Sequence, residues 1–237
     1  MEGFAIELSF QLVRLAHIVC GFAALAIFWI PIVVPKGGTA HVRVGRVYVA
    51  AMAAVSFTAL YMGAYRLLWD AGPDADAIPF SWFLIFIAVL SGSTAWYGVR
   101  VLRFKKRSAP HRRPVDLLFP LLLVVSGCGI SAYGFAIGFP LLQYFPAIGL
   151  FLGGSQLVYW FSSPKRPSHW IVEHLVGMLS CCIATVTAFV VFGAPRLLGI
   201  ESVSLLVWFA PAFALVPLIV AFSASYRKKM DGPRRRT

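Results

Sequence analysis

Long apolar runs alternate with short polar stretches along the chain, and seven of the runs reach the roughly 20 residues that a helix needs to cross bilayer hydrocarbon. They lie near 9–34, 45–69, 79–103, 115–138, 139–162, 169–193 and 203–225. The fourth and fifth are separated only by the tight turn Gly138-Phe139-Pro140. The pattern therefore predicts an all-α fold, a seven-transmembrane-helix bundle in a single domain over 1–226, followed by a basic tail over 227–237. Three helical hairpins plus one added helix is the organisation that the spacing of the polar stretches suggests.

Composition agrees with that class. The 237 residues are 59% hydrophobic and only 13% charged, too little polar material to coat a water-soluble domain. The net charge of +12 sits in short clusters between the apolar runs, which points to membrane topology and anionic lipid and away from nucleic acid. All but three of the 21 lysines and arginines (Arg14, Arg66 and Arg196) fall in or beside the connections after runs one, three and five, or in the tail. Glu2, Glu7, Asp70, Asp74, Asp76 and Glu201 fall on the opposite side. The positive-inside rule then predicts an outside N-terminus and a cytoplasmic C-terminus, with the chain multi-pass. Trp69 and Trp82 are expected at the outer boundary, Trp160 and Trp170 at the inner one. No cleavable signal peptide is expected, because the first run is too long for one and ends in Pro-Lys-Gly-Gly. Cys20, Cys128, Cys181 and Cys182 lie inside apolar runs without metal-site spacing and read as packing residues.

Seven helices raise the question of a retinal protein, which needs a lysine in the middle of its last helix for the Schiff base. The seventh run has none before Lys228, at its end, so that class is excluded. The three inner connections share a different feature. PKGGTAHVRVGR, KKRSAPHRRPVD and PKRPSHWIVEH each place a basic residue, a turn and a histidine before a new helix. His41, His111 and His169 are thus expected at one membrane face, with Arg46, Asp116 and His174 five residues beyond each and Glu173 beside the last. Glu173 and His174 lie roughly 6–8 Å into the sixth helix, at ~1.5 Å per residue. An ionisable pair at such depth is expensive unless partnered or wetted, which makes it a candidate site. The structural alternative pairs Glu173 with Arg113, Arg46 or Lys165, pinning hairpins together.

A second constellation lies in the outer half. Arg14 and His17 share one face of the first helix, Gly21 leaves room one turn on, and Arg66 comes from the second helix, with Met62 a turn below it. Arg14 is expected to reach outward to water and His17 to hydrogen-bond across the bundle. Gly134 with Gly138, and Gly149 with Gly153, have the spacing that lets helix backbones approach. Pro120, Pro211 and Pro217 are expected to kink or loosen their helices. No nucleotide-binding, nucleophile-elbow or zinc-protease motif is present. RKKMDGPRRRT reads as a disordered anchor for anionic headgroups.

The stretches HIVCGFAAL (17–25), KGGTAHVRVGRVYVAAM (36–52) and HLVGMLSCCIATVTAF (174–189) resemble a family of polytopic bacterial membrane proteins catalogued as domain of unknown function 2306. Its members share a His-x-x-x-Gly first helix and a Lys-Gly…His-Arg-x-x-Gly-Arg loop. In this chain Val42 follows His41 and the arginine comes at Arg43. The resemblance covers about a quarter of the chain and implies a bacterial inner-membrane protein, with no activity attached. His17-Ile-Val-Cys-Gly21 and His41-Val-Arg-Val-Gly45 also resemble the short haem-ligand pattern of cytochrome b561 and ferric-reductase bundles.

Three functions stay open on this reading. The first is a redox-type membrane protein holding haem b or a divalent metal. His41, His111, His169, His174, Asp116 and Glu173 would be the ligand candidates, and Arg43, Arg46 and Arg112 would neutralise propionates or another anion. The second is a small-solute or proton-coupled transporter or channel, with Arg14, His17 and Arg66 outside and Glu173 and His174 as an inner gate or proton relay. The third is a non-catalytic module that packs against partner proteins or lipid.

Overall fold

The structure, a computed structural model, describes residues 2–69, 76–199 and 204–231. Asp70, Asp74, Glu201 and the arginines at 234–236 lie outside the described residues, as does the side chain of Glu2. Among the described residues there is no strand, and seven helical segments are long and apolar enough to cross a membrane. They run Ile6–Val33, Thr39–Leu68, Ala77–Phe104, Pro114–Ile137, Pro140–Phe161, His169–Leu198 and Leu205–Asp231, and are called the first to seventh spans below.

Several span ends follow from single residues. In the first span the helix breaks at Phe28 and Trp29 and restarts as Ile30–Val33, because Pro31 has no N–H to continue the ladder. Pro114 and Pro140 open the fourth and fifth spans, where a missing N–H goes unneeded. The fifth span is notched at Phe145, just before Pro146. Gly138, at φ +71°, makes the left-handed turn between the fourth and fifth spans that a side chain would resist. In the sixth span a π turn over Phe189–Gly193 interrupts the helix before Pro195. Pro120, Pro211 and Pro217 lie inside helices that continue past them.

Two boundaries differ from the sequence expectation for one shared reason. The second span starts at Thr39 and not near 45, and the seventh continues to Asp231 and not to 225. In both places charged residues interrupt the apolar pattern, yet charge does not end a helix, and lysine and arginine are good helix formers. His41, Arg43 and Arg46 consequently sit in the first turns of the second span. Arg227, Lys228 and Lys229 are helical, which corrects the disordered-anchor reading for that part of the tail.

By contacts the chain divides into two compact units, Met1–Gly92 with Ser126–Pro146, and Ser93–Val125 with Ala147–Thr237. In the first unit the first span lies along the second. Phe10 stacks on Tyr65 at 4.4 Å between centroids, and Phe83 meets Phe145 edge-on at 5.2 Å. Gly63 lets the third span approach the second: a Cβ there would come 2.6 Å from Ile85. The Lys36 ammonium and the His41 ring cap the end of the first span. Lys36 donates to the carbonyls of Pro31 (2.9 Å) and Ile32, and His41 Nδ1 donates to Pro31 at 3.0 Å.

In the second unit Tyr97, Val101 and Trp160 form a buried cluster, with Phe104, Leu117 and Tyr159 against it. Trp160 is fully buried, so it does not serve in an aromatic belt, whereas Trp69 and Trp82 are exposed as a belt requires. Arg107 caps the end of the fifth span, donating to the carbonyls of Tyr159 (2.9 Å) and Ser162 (2.7 Å), with its guanidinium 4.4 Å from the Tyr159 ring. The third and sixth spans cross in backbone contact at Gly98 and Gly177. A Cβ on Gly177 would lie 2.8 Å from Gly98 Cα and 3.2 Å from the Thr94 carbonyl.

Candidate functional site

The glycine crossing determines what meets beside it. One turn or less from Gly98 and Gly177, Tyr97 faces Glu173 and the Gly98 carbonyl faces His174. The Tyr97 hydroxyl donates to Glu173 Oε2 at 2.6 Å, and His174 Nδ1 donates to the Gly98 carbonyl at 2.6 Å. Glu173 is also within electrostatic reach of Arg107 and Arg227. Its hydrogen-bonded partner is thus a tyrosine hydroxyl, in place of the ion pair with Arg113, Arg46 or Lys165 considered from sequence.

Glu173 lines a half-open cavity of about 300 Å³ together with Lys165, Arg166, Ser168, His169 and Arg227. His169, on its wall, shares a 2.9 Å hydrogen bond with the Tyr159 hydroxyl and is bonded to the Lys105 backbone. Lys105 in turn places its ammonium 4.6 Å from the Trp170 ring centroid. Among the described residues Lys165, Arg166 and Arg227 form no ion pair within bonding distance, and Glu173 is the one carboxylate lining the cavity beside these three cations.

A separate buried network joins the third and fourth spans. Asp116, in the first turn of the fourth span where the helix dipole favours an acid, has a side chain with no solvent exposure. It accepts from Arg100 Nε, from Arg100 Nη2 at 3.2 Å and from His111 Nε2 at 2.6 Å. The His111 backbone N–H donates to the Trp160 carbonyl at 2.7 Å, and its ring lies 4.9 Å from that of Trp160.

The expected inner-face histidine cluster is not found among the described residues. No three histidine, cysteine, aspartate or glutamate side chains gather where they could hold a metal ion. The physical reason is local. His111 is bound to Asp116, His169 to Tyr159, His174 to the Gly98 carbonyl and His41 to the Pro31 carbonyl, so each ring is oriented by a different neighbour. Asp116 and Glu173 belong to separate networks, and Arg43, Arg46 and Arg112 are exposed.

In the outer constellation His17 Nδ1 meets Thr58 Oγ1 at 2.9 Å and the ring is also bonded to the Val55 backbone, the expected bond across the bundle. Arg14 is exposed, as a side chain reaching for water would be, while Arg66 and Met62 are half-buried. Sequence reasoning missed Glu7, which accepts from Tyr65 (2.9 Å) and Gln11 (2.6 Å), and Ser9, which meets Tyr61 at 2.5 Å. It also missed Tyr97, Tyr159, Arg100 and Ser168. The available signal was thin: tyrosines near helix ends, and an arginine 16 residues from the one acid it could reach.

Comparison with family models, with curated proteins and with solved structures gave no match.

Proposed function

We propose that the chain is a proton-coupled transporter of small anions, working through the cavity beside Glu173. The observation that carries this reading is the 2.6 Å Tyr97–Glu173 hydrogen bond on the wall of a cavity bordered by Lys165, Arg166 and Arg227. A carboxyl inside a membrane span is expensive to keep charged, and such groups mark ion and proton pathways. Here the groups facing it are the Tyr97 hydroxyl from the third span, Arg107 from the loop beyond that span, and Arg227 from the seventh. Ionised, Glu173 repels an anion entering the cavity. Protonated, it leaves the three cations uncompensated and the anion favoured. Proton and anion would therefore bind together.

In this reading the positive-inside rule places the cavity on the cytoplasmic side of a bacterial inner membrane, with the N-terminus outside. The likeness to the family of unknown function 2306 is compatible with that placement.

Reconstituted vesicles loaded with a pH-sensitive dye and energised by a potassium diffusion potential test the reading. Chloride, bicarbonate, phosphate and succinate are offered outside in turn. Proton entry is expected with at least one of them. Glu173→Gln should abolish that entry, and Tyr97→Phe should slow it. No proton entry with any anion, or entry unchanged in Glu173→Gln, overturns the proposal.

A further inference from the structure

The geometry points to a terminal phosphate, borne as a monoester or free in solution, as the group this cavity holds, and to Asp231 as a tethered carboxylate that occupies part of its place. Ser168 precedes the sixth span and is buried, yet its hydroxyl makes no cap to its own helix. It donates instead to Asp231 Oδ2 at 2.6 Å, while the Ser168 backbone N–H donates to Asp231 Oδ1 at 3.0 Å. Asp231 lies one turn beyond Arg227 on the seventh span, so the carboxylate is delivered to the cavity edge by the same helix that supplies one of its cations.

Two donors at a helix start and three cations without ion pairs outnumber the two carboxylates at the cavity, Glu173 and Asp231. A phosphate monoester carries about −1.5 to −2 charges and three acceptor oxygens, enough to engage Ser168 and at least two of Lys165, Arg166 and Arg227 together. Seating it on Ser168 requires Asp231 to leave. The end of the seventh span would then be released whenever the site fills. The group can arrive on a lipid headgroup or as free phosphate, and the chemistry at the site is the same. This inference rests on the choice of cavity made above but not on proton movement, and it is read at equilibrium without a gradient.

The test uses the full chain in detergent. Calorimetry measures binding of inorganic phosphate alone, and then of mixed micelles containing phosphatidic acid against micelles of phosphatidylcholine. Asp231→Ala is expected to bind at least one phosphate probe roughly tenfold more tightly than the unaltered protein, because both Ser168 donors are freed. Arg227→Gln should bind it at least about tenfold more weakly. As a second measurement on the unaltered protein, the effective probe should speed tryptic cleavage at Lys228 and Lys229, since the helix end is released. Binding of phosphatidic acid micelles alone identifies a headgroup site, and binding of inorganic phosphate identifies a solute site; either supports the proposal. No binding of either probe, no gain in Asp231→Ala, or no change in cleavage overturns it. Glu173→Gln should retain phosphate binding even where it has lost proton entry, which keeps the two failures apart.

Discussion

Asp116→Ala is expected to destabilise the protein by about 3–5 kcal/mol, read as a lowered midpoint of thermal unfolding in detergent. The carboxylate has no solvent exposure, and the Arg100 side chain it accepts from is only 14% exposed. Removing the acid leaves the guanidinium without a counter-charge, held only against the Trp96 and Phe104 rings, and His111 loses its acceptor as well. The size of the effect would measure that stranded charge more than the worth of the pair itself. Arg100→Met combined with Asp116→Leu should accordingly recover most of the loss, because a well-packed apolar replacement removes both charges together. An Asp116→Ala protein within about 0.5 kcal/mol of the original, the level of an ordinary surface change, would show that the network contributes nothing.

The second large effect is expected at the glycine crossing. In Gly177→Ala the new methyl would meet backbone atoms of Gly98 and Thr94, and backbone cannot rotate out of the way as a side chain can. The third and sixth spans must then separate, at about 1–3 kcal/mol for overpacking, and more in Gly177→Leu. Functional loss should exceed what that number suggests, since the same crossing holds the Tyr97 hydroxyl against Glu173. Gly129→Ala is the control: no atom lies within 4 Å of the added carbon, and alanine favours a helix over glycine by about 1 kcal/mol. Opposite signs for the two substitutions in an unfolding titration are the expected result. Equal behaviour would mean that the crossing is not a tight one.

The seven spans were legible because an apolar run of bilayer length has few other uses in a chain. Their ends were less so. Thr39 opens a helix with charged first turns and Asp231 closes one with a charged last turn, and a reading that treats charge as loop stops short of both. Among the candidate sites, Glu173 was visible through its depth, and His17 through its face of the first helix. Tyr97 was not, because one tyrosine at a helix end resembles any other until Gly98 and Gly177 bring two spans together. Those glycines belong to no GxxxG pair. Neither has a second glycine one turn away on its own helix, and only the crossing makes them partners. The histidines failed for a related reason. Their like spacing after basic loops describes where helices begin, whereas ligand sets depend on which faces of those helices meet.

The first span is the least buried of the seven, and three of its polar side chains are matched by the second. Ser9 is joined to Tyr61, Glu7 to Tyr65 and His17 to Thr58, while the Pro31 carbonyl receives both Lys36 and His41. During synthesis this pair could therefore leave the insertion machinery and enter lipid as a finished unit, before later spans emerge, with none of these groups stranded in hydrocarbon. A chain stopped after Trp69 is expected to resist alkaline extraction from membranes. Its release by alkali would show that the later spans are needed to hold the first two in place.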